Sequence, residues 1–249
     1  MDLDLIIQLG YVVAAGLFIF GLKMLGSPDT ARKGNGISAM GMLVAIVAAL
    51  LDQGIVQYEY ILGGMVVGGA VGAVAARTVA MTSMPEMVAL FNGVGGAASG
   101  LVGLSALSLD GSSFTYITII LSILIGGVTF TGSLIAYGKL SETIGSGALT
   151  FAGQKFVNGL IVLGIVTSAV MFVMNPADTN MLYAVVGLSL LFGIMVVIPI
   201  GGADMPVVIS LLNSYSGLAA CAAGFAVDNN VLIVAGSLVG ASGIILTQI

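Results

Sequence analysis

Nine long apolar stretches, separated only by short breaks, run through almost the whole of this chain of 249 residues. A helix needs roughly 20 apolar residues to cross a bilayer core of about 30 Å, and each stretch is close to that length. The alternation of period two that transmembrane strands show is absent. The pattern therefore predicts an all-α fold, a polytopic membrane helix bundle that occupies residues 1–249. The predicted spans are 4–25, 36–52, 58–77, 84–107, 113–138, 155–174, 179–199, 205–226 and 230–248.

The composition excludes several other classes of protein. Charged residues make up 7% of the chain and hydrophobic residues 59%, whereas a soluble domain has about 25% charged residues. One cysteine and no histidine are present, so neither an internal disulfide nor a Cys/His metal site can form. The net charge of −5 argues against a nucleic acid partner.

Turn signals mark the breaks between the spans, because glycine, proline, asparagine and aspartate favour tight turns. The breaks read SPD at 27–29, GNG at 34–36, DGS at 110–112, GSG at 145–147, NPAD at 175–178 and DNN at 228–230. The first apolar stretch is too long for a signal peptide and begins with acidic residues, so we interpret it as a retained span. The last apolar run ends abruptly at Ile249, and we expect further sequence to follow it.

The basic residues predict the orientation in the membrane. All six lie on one side of a nine-span arrangement, and cytoplasmic loops are the ones that carry an excess of lysine and arginine. That side is therefore predicted to be cytoplasmic, with the N-terminus outside and the C-terminus inside. Glu86 and Asp204 fall on the cytoplasmic side as well. The six residues are Lys23, Arg32, Lys33, Arg77, Lys139 and Lys155.

Many of the 37 glycines are spaced by four along the spans. Small residues at this spacing let helix backbones approach closely in a membrane. Any single pair is explained by packing alone, but together they predict a tight bundle rather than a wide solute cavity. The clearest sets are Gly64, Gly68 and Gly72; Gly96 and Gly100; and Gly236 and Gly240.

The fourth and eighth spans resemble each other at their starts. Each opens with Met-Pro, has asparagine seven residues after the proline and glycine eleven residues after it. Since both helices start on the cytoplasmic side, the two amides, Asn92 and Asn213, are predicted to lie at similar depth. Each entrance also has a carboxylate, Glu86 or Asp204. We interpret the two helices as lining one polar path from the cytoplasm.

Each polar residue also has a structural interpretation. Asn92 and Asn213 can simply hydrogen-bond a neighbouring helix, and Asp204 and Glu86 can be helix caps. Thr129, Thr131 and Ser133 can bond their own backbone one turn back. The path interpretation is favoured for Asn213 because several polar side chains surround it, which is unusual in a membrane helix. These side chains are Ser210, Ser214, Tyr215 and Ser216.

No enzyme motif is visible in the chain. There is no phosphate-binding loop, no dinucleotide fingerprint at a strand–helix turn and no nucleophile with a base. The residues alone indicate a membrane channel or carrier for something very small, such as protons.

Several runs resemble the beta subunit of the proton-translocating NAD(P) transhydrogenases. The most specific is 201–217, GGADMPVVISLLNSYSG; the others are 84–89, MPEMVA, 127–133, GVTFTGS, and 232–243, LIVAGSLVGASG. The resemblance implies a family that couples hydride transfer between NADH and NADP⁺ to proton movement. In that family NAD(H) and NADP(H) bind to soluble domains, so this chain itself is expected to bind no cofactor and no metal.

The resemblance also implies partners and a location. The expected partners are the alpha subunit with its membrane helices, an NADP(H) domain that follows the membrane part of the beta subunit, and a second copy in a dimer. The expected location is the bacterial inner membrane, as a multi-pass protein. The rival hypothesis is a free-standing ion or small-solute transporter, which would function as this one chain.

Roles for individual residues follow from the same resemblance. Positions matching Asp204 and Asn213 are associated with coupling and proton conduction in the family. The positions of Gly236, Gly240, Ser242 and Gly243 lie in the helix that leads to the NADP(H) domain. Many members carry histidine at the position of Asn92, and asparagine does not titrate. Either a partner subunit supplies the titrating group, or the path is water with Asp204 or Glu86 as its terminal acid.

Overall fold

The computed structural model describes residues 3–51, 57–108 and 111–248, without the side chains of Leu246 and Gln248. Three points of the sequence prediction lie outside the described residues. They are Asp52 at the end of the second predicted span, Asp110 in a predicted turn, and Ile249 at the predicted cytoplasmic end.

Nine α-helices form in the described part of the chain, together with two short 3₁₀ turns at Met81–Ser83 and Gly202–Asp204. Eight of the helices are long and apolar enough to cross a membrane, and α9 is apolar over a shorter stretch. The predicted all-α, polytopic fold is confirmed. The helices are α1 Leu3–Leu25, α2 Pro28–Leu50, α3 Tyr58–Thr78, α4 Met84–Ser105, α5 Ser113–Leu140, α6 Gln154–Met174, α7 Thr179–Val197, α8 Met205–Ala226 and α9 Asn230–Gln248.

The glycines at the start of the second predicted span do not form a turn, and this prediction was wrong. Helix α2 already begins at Pro28, which follows the extended residue Ser27 and suits the first helical turn. Gly34 is buried inside this helix, where an added Cβ would lie 2.8 Å from the carbonyl oxygen of Gly21. The glycine is therefore needed for close packing of α2 on α1, rather than for a break.

The helices form two compact units, Met1–Met81 and Thr82–Ile249. In the first unit α1 packs along α2, whereas α3 has no buried residue among those described. The prediction that residues 1–249 act as one membrane domain stays a prediction.

Helix α5 is the centre of the second unit. It packs against α4, α7 and α8, while α9 packs along α8 and α6 along α7. One core cluster joins α5, α6 and α7, where the rings of Tyr116 and Phe172 meet edge to face at 5.8 Å. A second cluster joins α4, α5, α7 and α8 around Ala89, Val197 and Met205. These contacts fix the depth and rotation of the helices that carry the predicted polar residues.

Candidate functional site

The amide of Asn92 joins three helices in the second unit. Its Nδ2 donates a hydrogen bond to Ser133 Oγ on α5 at 2.9 Å. Its Oδ1 accepts one from Ser216 Oγ on α8, also at 2.9 Å. Both ends of the amide are thus used between helices. We call Asn92, Ser133 and Ser216 the polar cluster.

Helix length and direction bring the polar cluster together. Asn92 lies eight residues into α4, about 12 Å from its start, and Ser133 lies seven residues before the end of the antiparallel α5, about 10 Å from that end. The two side chains therefore meet at one depth. Asn213 lies eight residues into α8, and Ser216 is one turn further along.

Glycines allow the close approach of α4 to α5 on which this hydrogen bonding depends. A Cβ added at Gly93 would lie 3.2 Å from Phe130 O and from Ser133 Cβ. One added at Gly96 would lie 2.9 Å from Thr129 Cβ. With larger residues at these positions, the two backbones would stand further apart and Asn92 would not reach Ser133.

The three hydroxyls of α5 that the sequence singles out, those of Thr129, Thr131 and Ser133, differ in their partners, and only that of Thr131 reaches its own backbone. Thr131 Oγ1 lies within donating distance of two carbonyl oxygens, Leu190 O on α7 at 2.7 Å and, as predicted, its own backbone at Gly127 O at 3.1 Å. Ser133 instead accepts from Asn92. Thr129 is fully buried, and its hydroxyl has no hydrogen-bond partner in the described part of the chain. Such a group is costly unless water reaches it.

Asn213 lies one helical turn before Ser216, on a face of α8 that this chain leaves exposed. Its amide makes no hydrogen bond to any residue that the structure describes. The structure therefore joins Asn92 to Ser216 and Ser133 rather than to Asn213. A common path lined by both asparagines stays a prediction, as do the roles of the other predicted path residues.

The remaining polar residues of α8 point in different directions. Ser214 is fully buried and donates to its own backbone at Ser210 O, 3.1 Å away. Its hydroxyl faces the position where Gly243 of α9 lies without a side chain. Tyr215 packs against the second core cluster. Of the polar residues around Asn213, only Ser216 belongs to the polar cluster.

The two predicted carboxylates lie at corresponding entrances. Each of α4 and α8 follows a 3₁₀ turn and begins with Met-Pro, so the similarity seen in the sequence corresponds to a structural one. Glu86 is half-buried in the first turn of α4. Asp204 is exposed at the N-cap position of α8, and its side chain makes no capping hydrogen bond. Its carboxylate is therefore free to face a partner.

The glycines of α9 face α8, and this packing agrees with their spacing. A Cβ added at Gly236 would lie 2.6 Å from the carbonyl oxygen of Gly217, and one added at Gly240 would lie 3.1 Å from Leu218. Ser242 is exposed and bonds its own backbone at Val239 O. Gly96 and Gly217, which share a position in the sequence similarity, both lie at a close helix contact.

The chemistry available in the polar cluster is that of neutral donors and acceptors. An amide and two hydroxyls can order water and pass hydrogen bonds along, but none of them titrates near neutral pH. Nowhere in residues 3–51, 57–108 and 111–248 do His, Cys, Asp or Glu side chains form a group that could hold a metal. Sequence reasoning missed Ser133 because a serine in a membrane helix usually bonds its own backbone.

The hydrogen bond between Asn92 and Ser216 is open to a double-mutant cycle. Asn92→Ala, Ser216→Ala and the double variant are expected to show a coupling of about 0.6 to 1.7 kcal/mol, the range for such bonds in membrane proteins. The measurement is the free energy of unfolding in mixed detergent. A matched cycle between Asn92 and Ser214, which faces α9, is expected to show no coupling. Equal coupling in both cycles would contradict the geometry.

Comparison with known proteins gives a consistent result. The sequence profile of the family described as NAD(P) transhydrogenase beta subunit matches residues 7–249. NAD(P) transhydrogenase subunit beta of Rhodospirillum rubrum is 40% identical over 250 residues, which cover 96% of this chain and 53% of that protein. A second sequence with this name, from a strain of the same species, matches equally well. The chain spans about half the length of these curated relatives.

Proposed function

Because the chain belongs to the NAD(P) transhydrogenase beta subunit family, we propose that it is the membrane-spanning, proton-conducting part of a proton-translocating transhydrogenase. Hydride transfer between NADH and NADP⁺ takes place on soluble domains of that enzyme, which bind NAD(H) and NADP(H). This chain binds neither cofactor. The observation that carries the proposal is the polar cluster, which links α4, α5 and α8 by side-chain hydrogen bonds within the bundle.

The polar cluster acts as a relay rather than as a proton store. Asn92 is held from both sides, so its amide is fixed in one orientation between α5 and α8. The unpartnered hydroxyl of Thr129, one turn from Ser133 along α5, offers a further donor and acceptor to a water molecule. Asn213, exposed on α8 next to Ser216, extends this row of polar groups to the surface of the chain.

The titrating group of the path comes from outside this chain, since the polar cluster has none. We assign it to a histidine on a membrane helix of the alpha subunit, because a pKa of about 6.5 suits reversible protonation at neutral pH. The exposed face of α8 around Asn213 is where such a helix would bring its imidazole. The alternative is a chain of water molecules that ends at Asp204 or Glu86.

Asp204 connects this path to the nucleotide domain in the proposed enzyme. Its exposed carboxylate lies at the start of the helix that carries Asn213 and Ser216. The glycines of α9, with Ser242 beside them, hold the helix that leads to the NADP(H) domain against α8. A movement of that domain would therefore act on α8 both at its start and along its length.

Partners of the proposed enzyme include the alpha subunit with its membrane helices and a second copy of this chain. Helix α3 supports this inference, because Cβ atoms added at Gly64, Gly68 and Gly72 would meet nothing within 4 Å. Elsewhere in the chain glycines at this spacing contact another helix. The proposed location is the bacterial inner membrane.

The proposal is tested by reconstitution. The beta subunit, assembled with the alpha subunit in sealed vesicles, is expected to move protons across the membrane when NADH reduces NADP⁺, and to stop when either nucleotide is omitted. A pH-sensitive dye inside the vesicles reports the protons, and absorbance reports hydride transfer. Ion movement that needs no nucleotide and no alpha subunit would instead indicate a free-standing transporter.

The orientation gives a second test. With the cytoplasmic C-terminus that the basic residues predict, a reporter that is active only in the cytoplasm should be active when fused after Ile249. The same reporter placed in the turn between α8 and α9, at Asp228, should be inactive. An inverted result would show that the distribution of lysine and arginine does not set the topology of this chain.

A further inference from the structure

The loop between α5 and α6, residues 141–153, is hydrogen-bonded to two separate parts of the second unit. Ile144 N donates to Gly138 O at 3.1 Å, which folds the start of the loop back onto α5. Gly202 N donates to Ser146 O at 2.7 Å, and Leu149 N to Ile198 O at 3.3 Å. The middle of the loop therefore lies against the connection between α7 and α8.

Lys139, in the last turn of α5, is hydrogen-bonded to this loop. Its side chain is only 1% exposed, and its ammonium Nζ donates to Gly147 O at 2.6 Å. Within the described residues this ammonium makes no ion pair. Its hydrogen-bond partner is the neutral carbonyl oxygen of Gly147 in the loop. Burial of an ammonium group is costly unless strong hydrogen bonds compensate. Lys155, at the other end of the loop, is exposed and makes no such bond to a residue that the structure describes.

Two adjacent carbonyls of the loop accept hydrogen bonds from two different parts of the second unit, α5 and the turn 201–204. Gly147 O accepts from Lys139 of α5, and Ser146 O accepts from Gly202, two residues before Asp204. Glycine is required at 202, because an added Cβ would lie 2.9 Å from Ser146 Cβ. The contact is thus continuous from α5 through two successive peptide units of the loop to the turn 201–204.

We propose that Lys139 is a positioning residue that holds the turn 201–204, and with it Asp204, in register with α5. The functional part of this inference rests on the proposed function, in which Asp204 meets the nucleotide domain. The same helix carries Ser133, six residues or about 9 Å before Lys139. Helix α5 therefore connects the polar cluster to the turn 201–204, through the hydrogen bonds of Ser133 and Lys139.

Amide hydrogen exchange tests the structural part of the inference. In the assembled enzyme, Lys139→Met, which keeps the length of the side chain but removes the charge, is expected to speed exchange in peptides covering 144–150 and 201–204 about tenfold or more. Lys155→Met removes a charge from the other end of the loop and should leave these peptides unchanged. Equal exchange in the two variants would overturn the inference.

The coupling ratio tests the functional part. The number of protons moved per hydride transferred is expected to fall about tenfold in Lys139→Met vesicles, and Lys139→Arg, which keeps the charge, should restore part of it. Hydride exchange within the soluble domains should not change, whereas a general loss of stability would lower every activity together. An unchanged ratio alongside faster exchange would overturn the role of this contact in coupling, although Lys139 would still hold the turn in place.

A second pair of variants keeps the inference testable if Lys139→Met does not assemble. Gly202→Ala should displace the loop and reproduce the faster exchange at 144–150. Adding Ser146→Gly in the same chain removes the opposing Cβ and should restore slow exchange. Failure of this rescue would overturn the proposed contact. The exchange measurements need no activity, so they are independent of whether the wild-type enzyme couples protons to hydride transfer.

Discussion

Proton-coupled turnover of the assembled enzyme is expected to stop when Asn213 is replaced by leucine. The amide of Asn213 is exposed on α8 and makes no hydrogen bond within the described residues. Leucine has the same number and branching of side-chain heavy atoms, and the site is exposed, so the folded bundle should lose little stability. What it removes is a donor and an acceptor next to Ser216, and a path of water molecules needs such groups. We expect a loss of proton pumping of about a hundredfold or more, in the range of a lost proton-transfer group.

Two measurements separate this effect from damage to the fold. Hydride exchange confined to the soluble domains should proceed at the wild-type rate in Asn213→Leu. Asn213→Gln, which keeps the amide, should retain a substantial part of the coupled turnover. Pumping at the wild-type rate in Asn213→Leu would mean that the path lies elsewhere and that this asparagine only packs against a neighbour.

The second large effect is expected from Gly126 of α5, which lies against the backbone of α4. A Cβ added there would be 2.5 Å from Gly96 O and 3.0 Å from Gly100 N. Because these are backbone atoms, they cannot turn away as a side chain would, and the two helices must separate. Gly126→Ala should therefore lower the free energy of unfolding by about 1–3 kcal/mol or more, measured in mixed detergent.

The neighbouring helix offers a matched control. Gly95 lies on α4 beside Gly96, but a Cβ at Gly95 would meet nothing within 4 Å. Gly95→Ala should be neutral or stabilising by up to about 1 kcal/mol, since alanine is the better helix former. Similar destabilisation in both variants would show that helix propensity, rather than the contact between α4 and α5, decides the result. Gly126→Ala should also weaken the bond from Asn92 to Ser133.

The fold class could be predicted from the sequence because hydropathy is close to an additive property of successive residues. A helix that crosses a bilayer needs about 20 consecutive apolar residues, and the hydropathy along the chain shows where such stretches occur. The error at 34–36 has a specific cause. A glycine in a sequence is compatible with a turn and also with a close contact between two helices. At Gly34 the packing of α1 shows that the glycine serves the close contact.

The site could be predicted only in part. The sequence placed Asn92 and Asn213 at one depth, because both follow a Met-Pro start by the same number of residues. It could not show which way each amide faces, since that depends on the rotation of every helix in the bundle. The tertiary structure turned Ser216 rather than Asn213 toward Asn92, and brought Ser133 of α5 to its other side. It also buried Lys139 beneath the loop that reaches Gly202.

Local composition and spacing were thus enough to show that the chain is helical, where most of its spans lie and which polar residues they carry. The partners of those polar residues, and the true start of α2, depend on how the helices pack. Helices in a membrane are brought together by close contacts between small residues and by hydrogen bonds between helices, rather than by hydrophobic burial. Such contacts depend on the joint shape of two surfaces, which neither helix encodes alone.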